Sequence, residues 1–151
     1  MEYSLDFGKR LIEAAHSLDP HAPESKRTIL YLSLLSCEVS FKAILENSGF
    51  SVGELTSRNH RIHELVEDLA GCIYVDSGVL ATNIRAKVVA PGRRNGTVGE
   101  LLVAGVADCS RYPNEIRYGD FIRHYPPSLM LDCALVVSQW CEENFDNLAR
   151  M

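Results

Sequence analysis

Arginine and histidine lie close together in Arg58–Asn59–His60–Arg61–Ile62–His63, ahead of a short amphipathic segment. An imidazole can exchange a proton near neutral pH, and a guanidinium can bind a phosphate and stabilise developing charge. Arg58 and His63 could therefore act together on a phosphodiester, with Asn59 orienting the guanidinium or the phosphate. The same residues also have a structural interpretation, in which Asn59 is the N-cap of the next helix and His60 only completes the helix start.

A second pairing of these residue types, Arg117 with His124, lies in the most basic and aromatic part of the chain. Aromatic rings can stack on unpaired bases while arginines bind phosphate, so this pattern favours contact with RNA. The alternative is a loop whose aromatic residues pack over the end of the helices while its arginines lie in solvent. Together with the turn PGRRNG upstream, the candidate RNA-binding residues are Arg93, Arg94, Arg111, Tyr112, Tyr118 and Arg123.

The tripeptide Arg111–Tyr112–Pro113 has a packing interpretation that we prefer. In it, Arg111 pairs with Glu38 or another buried acid, and Tyr112 fills the space between helices. Truncation of either member of such a buried pair would be strongly destabilising.

Charge is unevenly distributed along this chain of net charge −5. Residues 1–79 hold 7 basic and 12 acidic residues, residues 80–125 hold 7 and 4, and residues 126–151 hold 1 and 4. The overall acidity argues against broad coating of nucleic acid, so a phosphate-bearing partner should meet the region 80–125.

Composition predicts a single domain over residues 1–151 that needs neither cofactor nor disulfide to hold its core. The five cysteines are scattered and never form a CxxC pair, which is typical of buried, reduced thiols. His60 and His63 have no third ligand nearby in sequence, so we predict no metal site. The N-terminus lacks the pattern of a secretory signal, and we expect a cytoplasmic protein.

The helices that must position these residues centre on Thr28 to Leu45. This stretch carries two apolar stripes at helical spacing, which predicts a helix packed on both sides in an all-α bundle. Glu38 and Lys42 stand four residues apart on it, in the order that supports a helix. Breaks and capping signals predict the other helices over 5–18, 60–70, from 97 to about 110, and from about 127 to 142.

Two segments are less regular. Around 71–96 the pattern predicts an irregular or partly β insertion, in which 73–75 and 87–89 could be strands and 77–87 could equally be a helix. The last helix is apolar around most of its circumference, which means that it either lies centrally or forms a homodimer; we favour the dimer.

The order of these features resembles that of HEPN-domain proteins. The segment Cys37 to Leu45 is similar to the family's E-x3-K-A-L-L, His60 to Leu65 to its H-x-L-x-x-L helix start, and Arg111 to Asn114 to its R-Y-P signature. The resemblance implies an up-and-down bundle of four or five helices and a homodimer. The longer and less helical stretch 71–96 departs from the family pattern.

Many HEPN proteins are metal-independent endoribonucleases of toxin–antitoxin, CRISPR or anti-phage systems, and these carry an R-x(4–6)-H motif. The resemblance therefore makes Arg58, Asn59 and His63, or Arg117 and His124, candidate catalytic residues. Other members lack the motif and bind a nucleotide, RNA or a partner protein such as a nucleotidyltransferase. The leading hypothesis is a dimeric endoribonuclease of a toxin–antitoxin or defence system, and the alternative is a non-catalytic binding module.

Overall fold

The central helix of the molecule, here α2, extends over Pro23–Ser48 in a computed structural model that describes residues 1–104 and 126–151. It begins earlier than the predicted Thr28 and ends at Ser48, where Asn47–Ser48–Gly49 predicts a stop. Pro23 occupies the first turn, where its missing N–H has no helical partner to lose, so it begins the helix rather than breaking it. Gly49 ends the helix with φ at +121°, a conformation that favours glycine, and its N–H donates to the carbonyls of Leu45 and Glu46.

The described part of the chain is mostly helical, which confirms the all-α class. Its helices are α1 Leu5–His16, α2, α3 Val52–Ser57, α4 Ile62–Ala70, α5 Asn83–Ala86, the π-helical turn α6 Glu100–Ala104, and α7 Pro127–Asn144.

Helix α2 packs chiefly against α1 and α7. Helix α1 runs antiparallel to α2. The residues just before α1 lie at the C-terminal end of α2, where the backbone N–H groups of Glu2 and Tyr3 donate to the Glu46 carboxylate. Helix α7 runs in the same direction as α2. Their starts line one cavity, and Asn47 Nδ2 donates to the Phe145 carbonyl at 2.8 Å where they end.

Helix α2 has the length and apolar composition of a membrane span, but 78% of its apolar window is buried inside the protein. Burial of this kind is expected for the core helix of a bundle.

The apolar surface of α7 is largely covered within one chain. Trp140 is 1% exposed and Met130, Cys133 and Val137 are fully buried, while Leu135 is 40% exposed. The central position that the sequence allowed for this helix is therefore observed, and self-association stays a prediction.

The sequence predicts no helix between α2 and α4, and this is wrong, because the segment contains α3. The Ser51 hydroxyl accepts from the Glu54 N–H at 3.1 Å, and the Glu54 carboxylate accepts from the Ser51 N–H at 2.8 Å. This reciprocal capping box starts the helix, and the fully buried Leu55 anchors it to the core.

The insertion at 71–96 is irregular and partly β, as predicted. Strand β1 (Ile73–Tyr74) pairs antiparallel with β2 (Leu148–Ala149), a strand that the sequence did not indicate. The sequence left open strands at 73–75 and 87–89 or a helix over 77–87, and each alternative holds in part. Helix α5 forms inside 77–87, and Val88 makes a single β-bridge with Thr97.

That bridge closes the turn PGRRNG into a short arm. Val89 N–H and Ala90 N–H both donate to the Gly96 carbonyl, and Val98 N–H donates to the Lys87 carbonyl at 2.9 Å. The predicted helix start at Thr97 is confirmed, because its hydroxyl accepts from the Glu100 N–H and donates to the Glu100 carboxylate.

Candidate functional site

The most polar part of the core is a charged pair on α2. The Glu38 and Lys42 residues are each 5% exposed, and Lys42 Nζ lies 3.3 Å from Glu38 Oε2. Their i,i+4 spacing places them one above the other on one helix face, as the sequence predicted. Two charges are taken out of water here, which requires that their remaining hydrogen-bonding capacity be satisfied by neighbours.

The turn between α3 and α4 supplies two of those neighbours. The Asn59 carbonyl accepts a hydrogen bond from Lys42 Nζ at 2.8 Å, and His60 Nδ1 lies 2.8 Å from Glu38 Oε1. On its other side the ammonium of Lys42 lies 5.5 Å from the ring centroid of Tyr3, within the range of a cation–π contact. We call Glu38, Lys42, Asn59 and His60 the α2 cluster.

Asn59 has a backbone role that the sequence did not reveal. Its φ is +51°, a left-handed conformation that Asn tolerates better than most residues, and this directs its carbonyl to Lys42. The predicted N-cap role of Asn59 is wrong, because Arg61 occupies the cap position of α4 and makes no side-chain capping bond.

The hydrogen bond to Glu38 defines the chemistry of His60. An ionised carboxylate can only accept, so Nδ1 must carry the proton and donate it. In the neutral imidazole this makes Nε2 the basic nitrogen. The His60 side chain is 52% exposed, whereas that of Glu38 is 7% exposed. A buried carboxylate thus orients a solvent-facing imidazole, an arrangement suited to proton transfer with a bound substrate.

The two arginines beside His60 each have an acidic partner. Arg58 Nε lies 2.8 Å from Asp68 Oδ2, and the hydrogen bond to Asp68 together with its charge raises the pKa of Arg58. Arg61 Nε lies 2.8 Å from Glu64 Oε2. The positive charge of this turn is therefore largely balanced, so a phosphate must compete with Asp68 or Glu64 for these guanidinium groups.

The predicted catalytic set is only partly brought together. Arg58 is held on Asp68, Asn59 joins the α2 cluster through its backbone, and His63 lies half-buried in the first turn of α4. Arg117 and His124 lie outside the described residues.

Of the predicted RNA-binding residues, Arg93 and Arg94 are exposed at the tip of the arm closed by Val88 and Thr97. The other four, and with them the packing interpretation of Arg111, lie outside the described residues: Arg111, Tyr112, Tyr118 and Arg123.

The sequence did not predict the contact between His60 and Glu38. It indicated that Glu38 and Lys42 form a helix-stabilising pair and that His60 belongs to a helix start, but Glu38 and His60 are 22 residues apart, which hides their contact. The available signal was an ion pair placed inside an otherwise apolar helix, which needs polar partners from another element.

Within residues 1–104 and 126–151, no group of three or more metal-ligating side chains is present. The described cysteines Cys37, Cys72, Cys133 and Cys141 are buried free thiols, as predicted. The side chains of the α2 cluster can themselves transfer protons and make hydrogen bonds.

Comparison of the chain with protein-family models, with curated proteins and with solved structures finds no match in any of the three.

Proposed function

We propose that this protein is a HEPN-like helical-bundle protein that cleaves RNA without a metal ion, with His60 as the group that transfers the proton. The observation that carries the proposal is the exposed imidazole of His60, whose Nδ1 is fixed 2.8 Å from the buried carboxylate of Glu38. The sequence resemblance through Cys37 to Leu45 and His60 to Leu65 supports the family assignment. It also supports a homodimer in a cytoplasmic toxin–antitoxin or defence system.

In the proposed reaction His60 Nε2 removes the proton of a ribose 2′-hydroxyl. The 2′-oxygen forms a bond to phosphorus as the bond from phosphorus to the 5′-oxygen breaks. The leaving oxygen takes up a proton from water, and the protonated His60 releases its proton to solvent. The products are a 2′,3′-cyclic phosphate and a 5′-hydroxyl. Glu38 keeps the tautomer and stabilises the imidazolium that forms, and the arginines of the basic region 80–125 are proposed to bind the phosphate.

The test is cleavage of a labelled single-stranded RNA in EDTA. We expect products that end in a cyclic phosphate. The cleavage rate should fall by about 10²-fold or more in His60→Ala, as for removal of a general base, and should stay close to the parent rate in His16→Ala. His16 is an exposed histidine of α1 and controls for the substitution itself. Parallel assays of His63→Ala and His124→Ala locate the site, because only the true base should cause the large loss.

Two outcomes would remove parts of the proposal. If His60→Ala cleaves like the parent while His63→Ala or His124→Ala does not, the assignment to His60 is wrong. If the pure protein leaves RNA intact in EDTA, the enzyme proposal is wrong.

The second candidate is a non-catalytic HEPN-like module that binds a nucleotide, RNA or a partner protein such as a nucleotidyltransferase. The pairing of Arg58 with Asp68 and of Arg61 with Glu64 favours it, because a cleavage site needs cationic groups available to the scissile phosphate. Binding of RNA without cleavage, unchanged by His60→Ala, would support this module.

A further inference from the structure

The tip of the arm closed by Val88 and Thr97 contains the dipeptide Asn95–Gly96. Asn95 is the only asparagine in the sequence that precedes a glycine. The side-chain amide of an asparagine can be attacked by the backbone nitrogen of the next residue, and a glycine has no Cβ to hinder that approach. The attack closes a five-membered succinimide ring.

The turn itself requires both residues of this pair. Asn95 has φ at +59°, a left-handed conformation that asparagine and glycine adopt more readily than other residues. A Cβ at position 96 would lie 2.4 Å from the Ala90 carbonyl oxygen and 2.9 Å from that of Arg93, so only glycine fits there. The sequence that closes the arm is therefore also the sequence that favours closure of the ring.

Both reacting groups are available in the described part of the chain. Asn95 is exposed, and its side-chain amide makes no hydrogen bond within residues 1–104 and 126–151. The Gly96 N–H donates no hydrogen bond there either, although the Gly96 carbonyl accepts from two backbone N–H groups. The exposed arginines Arg93 and Arg94 precede the pair, and their positive charge stabilises the amide anion that attacks.

The other asparagines of the described residues lack one or more of these features. Asn59 is exposed and also has a positive φ, at +51°, but the residue after it is His60, whose Cβ hinders the attacking nitrogen. The remaining four have side-chain amides held by hydrogen bonds and precede residues other than glycine: Asn47, Asn83, Asn144 and Asn147.

We propose that Asn95 is a site of spontaneous deamidation. The Gly96 nitrogen loses its proton and forms a bond to Asn95 Cγ, while the bond from Cγ to the side-chain nitrogen breaks. The leaving nitrogen takes up a proton and departs as ammonia. Water then adds to either carbonyl of the ring and opens it, which leaves aspartate or isoaspartate at position 95. One ammonia leaves and two waters' worth of atoms are not needed, because a single water restores the acid.

The products change the charge of the arm. The turn PGRRNG holds two arginines and no acidic residue, so one new carboxylate lowers its net charge from +2 to +1. Deamidation therefore weakens the attraction of this turn for an anionic partner. Aspartate tolerates the left-handed conformation, whereas isoaspartate adds a carbon to the backbone and disturbs the hydrogen bonds to the Gly96 carbonyl. The proposal goes beyond RNA cleavage by His60 and does not depend on it.

The test is incubation of the full chain in neutral buffer, followed by peptide mapping with mass spectrometry, which detects conversion of an amide to an acid at each asparagine. Asn95 should convert at least about tenfold faster than Asn59, which corresponds to about 1.4 kcal/mol in the activation free energy. Asn95→Gln is the matched variant, because glutamine keeps the amide but would have to close a larger ring. The acidic form that ion exchange separates from the parent should not accumulate in this variant.

Incubation of the same chain unfolded in guanidinium chloride shows whether the fold leaves the site reactive. The tip of an exposed loop opens at little cost, so the rate in the folded chain should lie within about tenfold of the rate in the unfolded chain. Three results would each overturn the proposal: equal conversion of Asn95 and Asn59, a folded rate below that range, or accumulation of the acidic form in Asn95→Gln at the parent rate. Circular dichroism of Asn95→Gln establishes that its fold is intact.

Discussion

Replacement of Lys42 by methionine tests whether the α2 cluster holds the turn that carries His60. Methionine keeps the length of the side chain and removes the ammonium. The variant loses the ion pair with Glu38 at 3.3 Å, the hydrogen bond to the Asn59 carbonyl at 2.8 Å and the cation–π contact with Tyr3.

The magnitude follows from burial. Removing one partner from a buried ion pair costs about 3–5 kcal/mol, because the remaining charge keeps its desolvation penalty. For a chain of this size, that corresponds to a fall of roughly 6–20 °C in the melting temperature.

Lys9→Met provides the matched control for this substitution. Lys9 Nζ also contacts a carboxylate, at 2.7 Å from Glu142 Oε1, but its side chain is 41% exposed and that of Glu142 is 58% exposed. An exposed pair of this kind contributes about 0–1 kcal/mol, so Lys9→Met should melt close to the parent. Circular dichroism at 222 nm during heating measures both variants.

Combining Lys42→Met with Glu38→Gln separates the pair from its surroundings. The two losses should not add, and the coupling energy should be about 0.5–3 kcal/mol. The cluster does not stabilise the turn in this way if the free energy of unfolding of Lys42→Met lies within about 1 kcal/mol of the parent value, as that of Lys9→Met should. The same conclusion follows if the loss in the double variant equals the sum of the losses in the two single variants.

Three further predictions concern other parts of the fold. Ser51→Ala should remove the capping box of α3 and lower the free energy of unfolding by about 0.5–2 kcal/mol, measured by urea denaturation; an equal loss in Ser57→Ala, at the other end of the same helix, would contradict a capping origin. Gly96→Ala should destabilise the arm by about 1–3 kcal/mol, because a Cβ there would lie 2.4 Å from the Ala90 carbonyl oxygen. Gly53→Ala, whose Cβ would meet only Ser51 Oγ at 3.9 Å, should be neutral or stabilising in the same melting assay, and similar losses in both would refute the steric argument. Alkaline pH should destabilise the protein: the hydrogen bond with Cys37 and burial raise the pKa of Cys133, and burial raises that of Cys141, so both thiols stay protonated in the fold. In the unfolded chain the thiols ionise above about pH 8.5. The contribution of the buried thiols to the free energy of unfolding is therefore fully present below that pH, and at pH 9.5 it has fallen by about 1.4 kcal/mol per thiol. Urea denaturation under reducing conditions at pH 7.5 and 9.5 measures this loss, and an undiminished loss in Cys133→Ala with Cys141→Ala would contradict it.

The sequence predicted well those elements whose signals are local. The apolar stripes of α2, the start of α7 near Pro127 and the Thr97–Glu100 cap depend on residues only a few positions apart, and all are observed. The capping-box spacing of Ser51 and Glu54 is a local signal for α3 as well, but it was missed because glycine and polar residues surround it.

Features that depend on distant residues could not be predicted in this way. Strand β2 forms only because Leu148–Ala149 reaches Ile73–Tyr74 across the fold. The contact of His60 with Glu38 likewise exists only after α3 has turned the chain back along α2. A local pattern gave Asn59 a capping role, whereas in the fold its backbone carbonyl is bound by Lys42.

The placement of Glu38 and Lys42 inside α2 calls for an explanation other than stability. A buried ion pair gains little over well-packed apolar side chains of similar volume, because the charges first have to be desolvated. Leucine or methionine at both positions would fit the apolar pattern of α2 and would keep the helix packed. Apolar residues could not, however, hold the Asn59 carbonyl of a left-handed turn or accept a proton from His60 Nδ1. We therefore infer that the charged pair positions His60. The desolvation cost of burying Glu38 and Lys42 is the strongest physical reason to look for function at this turn.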